Sequence, residues 1–361
     1  MIGVGDWARY GHLPAIATLP DVDVVAISSR SVGTAAAVAA EVGAAHALGD
    51  HRDLVAHPDV DLVVVTAPVP EHARLVGDAI EAGKDVYSEW PLTTSTHASL
   101  ELLSSARAAG VRHVVGLQRG HSPSARFVAD LVAQGRVGEI RGATMTVRVD
   151  ALPTHVTQRH AWSLEPAGFV NLLTVYGGHF ADLLFRTVGP PSRVSAIMQN
   201  QFPVSTIVET GEQVPSRAPH AVMAMGELQR GGLFSIHLEA AQPRGTGLQL
   251  DITGTEGVLR LHNPRAYRST QDGTVHGIFG HATSFASVPV PASYRRLDDS
   301  GLDASARDVA YLYDAYAHDV AAGTTTVTDF EDAVRLHRLI DHMGQSSELL
   351  LDGPGADILG G

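Results

Sequence analysis

The stretch Gly3-Val4-Gly5-Asp6-Trp7-Ala8, with His12-Leu13-Pro14-Ala15-Ile16 after it, decides how the rest of the chain is read. Its six residues fit the pattern G-x-G-x-x-G/A. The first glycine of that pattern permits a tight turn and the second lets backbone approach a pyrophosphate. A small third residue, here Ala8, lets the next helix pack close to a sheet. The pattern alone is weak, and its surroundings give it weight. An apolar helical pattern starts at His12, and residues 22–27 then read as a strand. Only Met1-Ile2 precede Gly3, so either the start is trimmed or misassigned or the central strand is short.

Outward from this turn the chain alternates. Residues 34–42 read as an alanine-rich helix, and residues 61–68 as a continuous apolar strand ending in a turn at Pro68. Val69-Pro70-Glu71-His72 opens a helix to residue 82. A strand over 84–88, a helix over 96–109 and a strand over 111–117 follow. Strands alternating with helices predict a doubly wound parallel sheet, the Rossmann arrangement, over residues 1–118. Ligands of such sheets bind beyond the carboxyl ends of the strands. Gly3, Ser29, Pro68, Glu89 and Gln118 all follow such ends, and that convergence outweighs any single motif.

The second half, residues 119–361, changes character. A helix is expected over 124–134 and a strand of period two over 143–149. Residues 150–166 read as a loop carrying His155, His160 and Trp162. Residues 169–188 have a helical pattern, with Tyr176-Gly177-Gly178-His179-Phe180-Ala181-Asp182 inside it. Strands are expected around 193–197, 221–228, 232–239, 247–253 and 257–261. So many strands with few helices predict an α/β domain built on an open, mostly antiparallel sheet. The stretch 200–219 reads as a long loop. A last helix is expected over 329–347, with His337 and His342 on its surface. An open sheet commonly buries its free face on a second subunit, so a homodimer or homotetramer is expected.

Composition excludes several classes. A net charge of −13 disfavours direct binding to nucleic acid. The absence of cysteine removes disulfides and thiolate chemistry. No apolar run approaches the ~20 residues of a membrane span, and no signal-peptide pattern precedes the glycine turn, so a cytoplasmic protein is expected. None of the nineteen histidines pairs with a carboxylate at a convincing metal-site spacing, so no metal is expected.

Ser28-Ser29-Arg30-Ser31 follows the second strand, where NAD-binding folds usually carry an acid. Ser29 and Arg30 can instead donate hydrogen bonds to a 2′-phosphate, which leans the cofactor towards NADP over NAD. A solvated arginine in an exposed turn is the alternative.

Ser88-Glu89-Trp90-Pro91-Leu92 closes the strand over 84–88. Together with the glycine turn, Pro68, His72 and Gly177-Gly178-His179, it resembles the glucose–fructose oxidoreductase / inositol dehydrogenase / MocA family (Gfo/Idh/MocA). There the stretch usually reads Glu-Lys-Pro and its lysine is catalytic; here that position is Trp90. The family's second motif, Asp-x-Gly-x-His-x-x-Asp, falls on Val175, Gly177, His179 and Asp182, so its first aspartate is lost and its histidine kept. Leu117-Gln118-Arg119, Ser122-Pro123, Gly138-Glu139-Ile140, Val214-Pro215 and Pro219-His220 look like the branch of the yeast galactose-regulon repressor, which acts by protein contact.

The resemblance implies a dinucleotide held by Gly3, Gly5, Asp6, Trp7, Ser29, Arg30, Pro68, His72, Glu89, Trp90, Pro91 and Gln118. It also implies a cis Trp90–Pro91 bond and acid–base work at His179. Arg119, His160, Trp162, Asn171, Tyr176 and His179 are candidate substrate residues, each also readable as ordinary packing. The activity implied is an NAD(P)-dependent oxidoreductase acting on a sugar, cyclitol or related polyhydroxylated compound. The alternative is a non-catalytic dinucleotide sensor on the same fold.

Overall fold

The structure is a computed structural model. It describes every residue except 151–153, 159–160, 162–163, 165–167, 242–246, 267–268 and 352–361, and the side chains of 347–351. Residues 1–122 and 295–335 form one compact unit, and 123–294 with the chain from 336 onward form another. This differs from the expected cut at Gln118/Arg119. The helix Ala304–Ala322, which the sequence pattern did not reveal, belongs to the first unit, where it lies against the turn Gln118–His121 and the segment Ala8–His12.

In the first unit, strands Ala26–Ser28 and His46–Leu48 pair in parallel, and Leu62–Val65, Asp85–Glu89 and His113–Gly116 form a second parallel set. Ile2 joins the two sets, bridging Ser28 on one side and Val65 on the other. Its amide donates to Val64 O at 2.8 Å, and its carbonyl accepts from Thr66 N at 3.0 Å. The short first strand is therefore a single bridging residue at the centre of the sheet. Reading the pairings across gives the order 3-2-1-4-5-6 of a doubly wound nucleotide-binding sheet. Helix Val32–Val42 is capped by Ser31 Oγ and ends on left-handed Gly43, and Thr96–Ala109 is capped by Ser95 and ends on left-handed Gly110. His72–Glu81 buries Leu75, Val76, Ala79 and Ile80.

The second unit is built on an eight-stranded sheet in the order Ala286–Ser287, Thr274–Phe279, Gly257–Asn263, Leu248–Gly254, Ile140–Arg148, Leu233–Glu239, Ala221–Leu228, Pro191–Gln199. All neighbours are antiparallel except Leu233–Glu239 with Ile140–Arg148. Alternation does the sorting: Ala143, Met145, Val147, Leu250, Ile252, Phe234, Ile236 and Val222 are buried on one face. Helices Pro123–Ala133 and Gly178–Val188 contact the sheet. Ile197, Met223, Met225 and Leu233 stand on the other face, each more than half exposed.

Two expectations are corrected here. The stretch 200–219 is not a plain loop: Val204–Ile207 and Gln213–Pro215 pair with each other, and Val204–Ile207 also with His155–Val156, in a small sheet around buried Ile207 and Val156. His337 is not a surface residue of the last helix, Phe330–Leu351. It is fully buried and stacked on Phe169 at 5.1 Å, and burial pulls its pKa down to about 4. His342 is exposed.

Candidate functional site

Every predicted strand end in the first unit carries its expected residue. Gly3 follows Ile2 at φ +90°, and a Cβ there would sit 3.0 Å from Ala67 N and 3.1 Å from Thr66 C. Backbone cannot yield cheaply, so glycine is required. Thr66 Oγ1 donates to Gly3 O at 2.8 Å and fixes the turn from the neighbouring strand. At Gly5 a Cβ would meet nothing within 4 Å. The space above the second glycine is open, as the approach of a pyrophosphate demands. Asp6 is exposed, and Trp7 is half-buried, its ring packed where a Cβ on Gly11 would come within 3.1 Å. Ser29 is half-buried and Arg30 exposed beyond the second strand.

After the third long strand, Pro68 is exposed and His72 is buried. The His72 ring spans two loops, with Nε2 2.8 Å from Ala67 O and Nδ1 3.0 Å from Pro91 O. Burial lowers its pKa and the two carbonyls oppose that shift, and the ring sits between the loops that carry Pro68 and Trp90. The Trp90–Pro91 bond is cis, as expected, and Trp90 is 4% exposed.

Glu89 ends its strand within a polar cluster that sequence reasoning missed. His12, fully buried, places Nε2 3.1 Å from Glu89 Oε1 and Nδ1 2.7 Å from the Tyr313 hydroxyl. Tyr87 donates to the same Glu89 oxygen at 3.3 Å and stacks on Tyr313 at 5.0 Å. Burial, reinforced by the Glu89 charge, pushes both phenols well above their ordinary pKa, so they act as donors and not as bases. Gly116 makes the room: a Cβ there would lie 2.2 Å from Glu89 Oε1. The signals were spread over residues 12, 87, 89, 116 and 313, beyond the reach of any local pattern.

Gln118 is buried, and its Oε1 has no hydrogen-bond partner. Arg119 Nη1 donates to Asp308 Oδ2 at 2.6 Å, both side chains are almost fully buried, and Arg119 Nε has no hydrogen-bond partner among the described residues. A dinucleotide fits what these strand ends offer: a glycine turn without a Cβ, open space at Gly5 and a buried carboxamide oxygen left over at Gln118.

In the second unit, Asn171 caps the following segment, its Oδ1 accepting from Leu173 N at 2.9 Å and Thr174 N at 3.0 Å. Thr174 Oγ1 reciprocates by accepting from Asn171 N at 2.9 Å. Leu172–Gly177 is a π-helical turn leading into Gly178–Val188. Such turns are rare and occur often at functional sites. Gly177 lies close under Leu173 and Leu238, and Tyr176, His179 and Asp182 are all buried. Arg186 reaches Asp182 at 3.5 Å. His160 and Trp162 lie outside the described residues.

Comparison with known proteins agrees with this geometry. Residues 1–117 match the oxidoreductase family with an NAD-binding Rossmann fold, and residues 123–263 match the Gal80p C-terminal domain. The first part of the chain thus resembles the Gfo/Idh/MocA oxidoreductases and the second part resembles Gal80. A dehydrogenase of Aspergillus oryzae, aclE, is 29% identical over 268 residues, 71% of this chain and 73% of that one. The galactose/lactose metabolism regulatory protein GAL80 of Saccharomyces cerevisiae is 23% identical, over 88% of this chain and 77% of its own. A levoglucosan dehydrogenase solved with NADH and levoglucosan superposes with a TM-score of 0.83 at 20% identity, covering 96% of both chains, and supports the fold.

Proposed function

We propose that this protein is an NAD(P)-dependent oxidoreductase acting on a CH–OH group of a sugar, cyclitol or related polyhydroxylated compound. The observation that carries the reading is the convergence of Gly3, Ser29, Pro68, Glu89 and Gln118 on the carboxyl ends of one parallel sheet. Gly3 and Gly5 would hold the pyrophosphate, with Asp6 and Trp7 beside it. Ser29 and Arg30 would take the adenosine ribose, and Pro68, Trp90, Pro91 and Gln118 would bound the nicotinamide end, with His72 keeping its two loops in place. The nicotinamide, when bound, exchanges a hydride with the carbinol carbon. The alcohol proton then needs a base. Trp90 has only an indole N–H and cannot serve. His179, with a side chain suited to acid–base work near neutrality, is assigned that role.

Serine and arginine after the second strand favour NADP(H) over NAD(H), since neither repels a 2′-phosphate. Arg30 is exposed and available to it. Ile197, Met223, Met225 and Leu233 would be covered by a second copy of the chain in a homodimer or homotetramer. Asn171 Oδ1 and Arg119 Nη1 are engaged inside the protein, and Asn171, Arg119 and Tyr176 would support the substrate pocket.

One observation favours a second reading. Trp90 and Val175 stand where the family carries lysine and aspartate, and a GAL80 relative is a regulatory protein by its description. On that reading the chain is a dinucleotide sensor without turnover. The experiment is a calorimetric titration with both dinucleotides, paired with a screen for cofactor reduction across sugars and polyols. Binding with turnover supports the enzyme, binding without turnover supports the sensor, and absence of binding overturns both.

A further inference from the structure

The fold brings together three side chains far from the strand ends discussed above. His46 starts the strand His46–Leu48; His57 and Asp59 lie in the turn before Leu62–Val65. His46 Nε2 is 3.8 Å from Asp59 Oδ2, and His57 Nδ1 is 4.0 Å from the same oxygen. One donor atom from each residue lies within 4.8 Å of the others. We infer that His46, His57 and Asp59 form a binding site for a divalent transition-metal ion of the zinc type.

Four features support this. Zinc bonds to nitrogen and oxygen of about 2.0–2.2 Å at tetrahedral angles separate donors by roughly 3.4 Å, so closing on an ion asks for about half an ångström in each nitrogen–oxygen separation and up to ~1.4 Å between the two nitrogens. His57 Nδ1 accepts the Asp59 amide at 3.2 Å, so this nitrogen carries a lone pair on the Asp59 side, and an ion bound there displaces that hydrogen bond. The His46 and His57 rings are 4.1 Å apart, so both imidazoles border one small space. The fourth feature is charge. Asp59 borders a cavity of about 850 Å³ that Asp21, Asp23, Asp61 and Asp85 also line, and a concave surface of one sign concentrates counter-ions. The opposing charge is Lys84, whose ammonium donates to His57 O at 3.0 Å and so holds the backbone of the turn.

Two imidazoles and one carboxylate suit zinc, cobalt or nickel better than calcium or magnesium. His46 and His57 are about one-third and one-quarter exposed and Asp59 two-thirds. The remaining coordination positions therefore go to water, and the ion exchanges with solvent. Bound there, it clamps the strand His46–Leu48 to the turn that precedes Leu62–Val65. The eleven-residue separation of His46 from His57 hides the site from sequence inspection, which expected no metal.

The test is calorimetric titration of the chelator-treated full chain with Zn²⁺, with Co²⁺ absorption as the coordination readout. Wild type should bind one ion that the double variant His46→Gln/His57→Gln does not, and Asp59→Asn should weaken it about 10-fold or more. Zn²⁺ should raise the melting temperature of wild type only, and the metal-free melting temperature of the glutamine variant should match wild type and certify its fold. Zn²⁺ binding of equal stoichiometry and affinity in the double variant, or no binding to wild type, overturns the inference. A glutamine variant that fails to fold transfers the decision to Asp59→Asn, where unchanged affinity overturns it.

Discussion

His12 Nε2 lies 3.1 Å from Glu89 Oε1, joining the first helical turn to the last residue of the strand that precedes Trp90. The same ring reaches the Tyr313 hydroxyl at 2.7 Å, so three distant stretches of sequence meet on one imidazole. Leaving buried donors and acceptors without partners costs about 1–3 kcal/mol. His12→Ala should lower the unfolding free energy from urea titration by that amount with an unchanged slope. A shift below about 0.5 kcal/mol would show that the cluster adds nothing to the fold.

Gly5 and Gly3 separate binding from folding. At Gly5 the added methyl of Gly5→Ala meets nothing within 4 Å, so stability should hold to within ~1 kcal/mol. Dinucleotide affinity should fall at least about 10-fold, since the methyl would occupy the pyrophosphate's approach. Gly3→Ala forces a left-handed alanine against backbone at 3.0 Å and should destabilise the protein itself. Calorimetry and denaturant unfolding on both variants check the contrast; equal dinucleotide affinity for Gly5→Ala and wild type would count against this placement.

Arg119 and Asp308 form a buried ion pair at 2.6 Å. Removing one partner leaves a buried charge, at a cost of about 3–5 kcal/mol. Arg119→Met alone should destabilise by that order, and Arg119→Met with Asp308→Leu should recover much of it. Denaturant midpoints of the three variants make the cycle.

Much of this was legible in advance. The alternating apolar runs and glycine turn of residues 1–118 predict the parallel sheet and the residues at its strand ends, because strand period and turn chemistry are local. The open antiparallel sheet follows from the period-two strands of the second half. What escaped depends on long-range meetings. Nothing near Tyr313 or Asp308 announces that they pack beneath Tyr87 and Arg119. His337 has helical-surface neighbours in sequence, while in the fold its ring stacks on Phe169, far upstream. The 200–219 stretch hid two short strands because they are only four and three residues long and the first completes its pairing with His155–Val156, far upstream.

Burial of His337 carries a pH signature. With a folded pKa of about 4 against an ordinary 6.5, the unfolded chain binds the extra proton first. Stability is therefore full above about pH 6.5 and is lost as pH falls towards 4, by at most ~3 kcal/mol from this group. His72, His113 and His220 are shifted in the same direction by burial and add to the loss. His337→Phe should flatten the slope of unfolding free energy between pH 6.5 and 4. An unchanged slope would mean that His337 does not titrate on unfolding.

The central claim is that this chain oxidises or reduces a CH–OH group with His179 as the acid–base residue despite Trp90. The direct measurement is the rate of nicotinamide reduction by wild type and His179→Ala with the best sugar or polyol substrate, alongside dinucleotide affinity for both. The account predicts a loss of about 10²–10⁴-fold in turnover with affinity nearly unchanged, because the glycine turn and not His179 holds the phosphates. Equal turnover by His179→Ala, or no turnover by wild type with any substrate of the class, would contradict it.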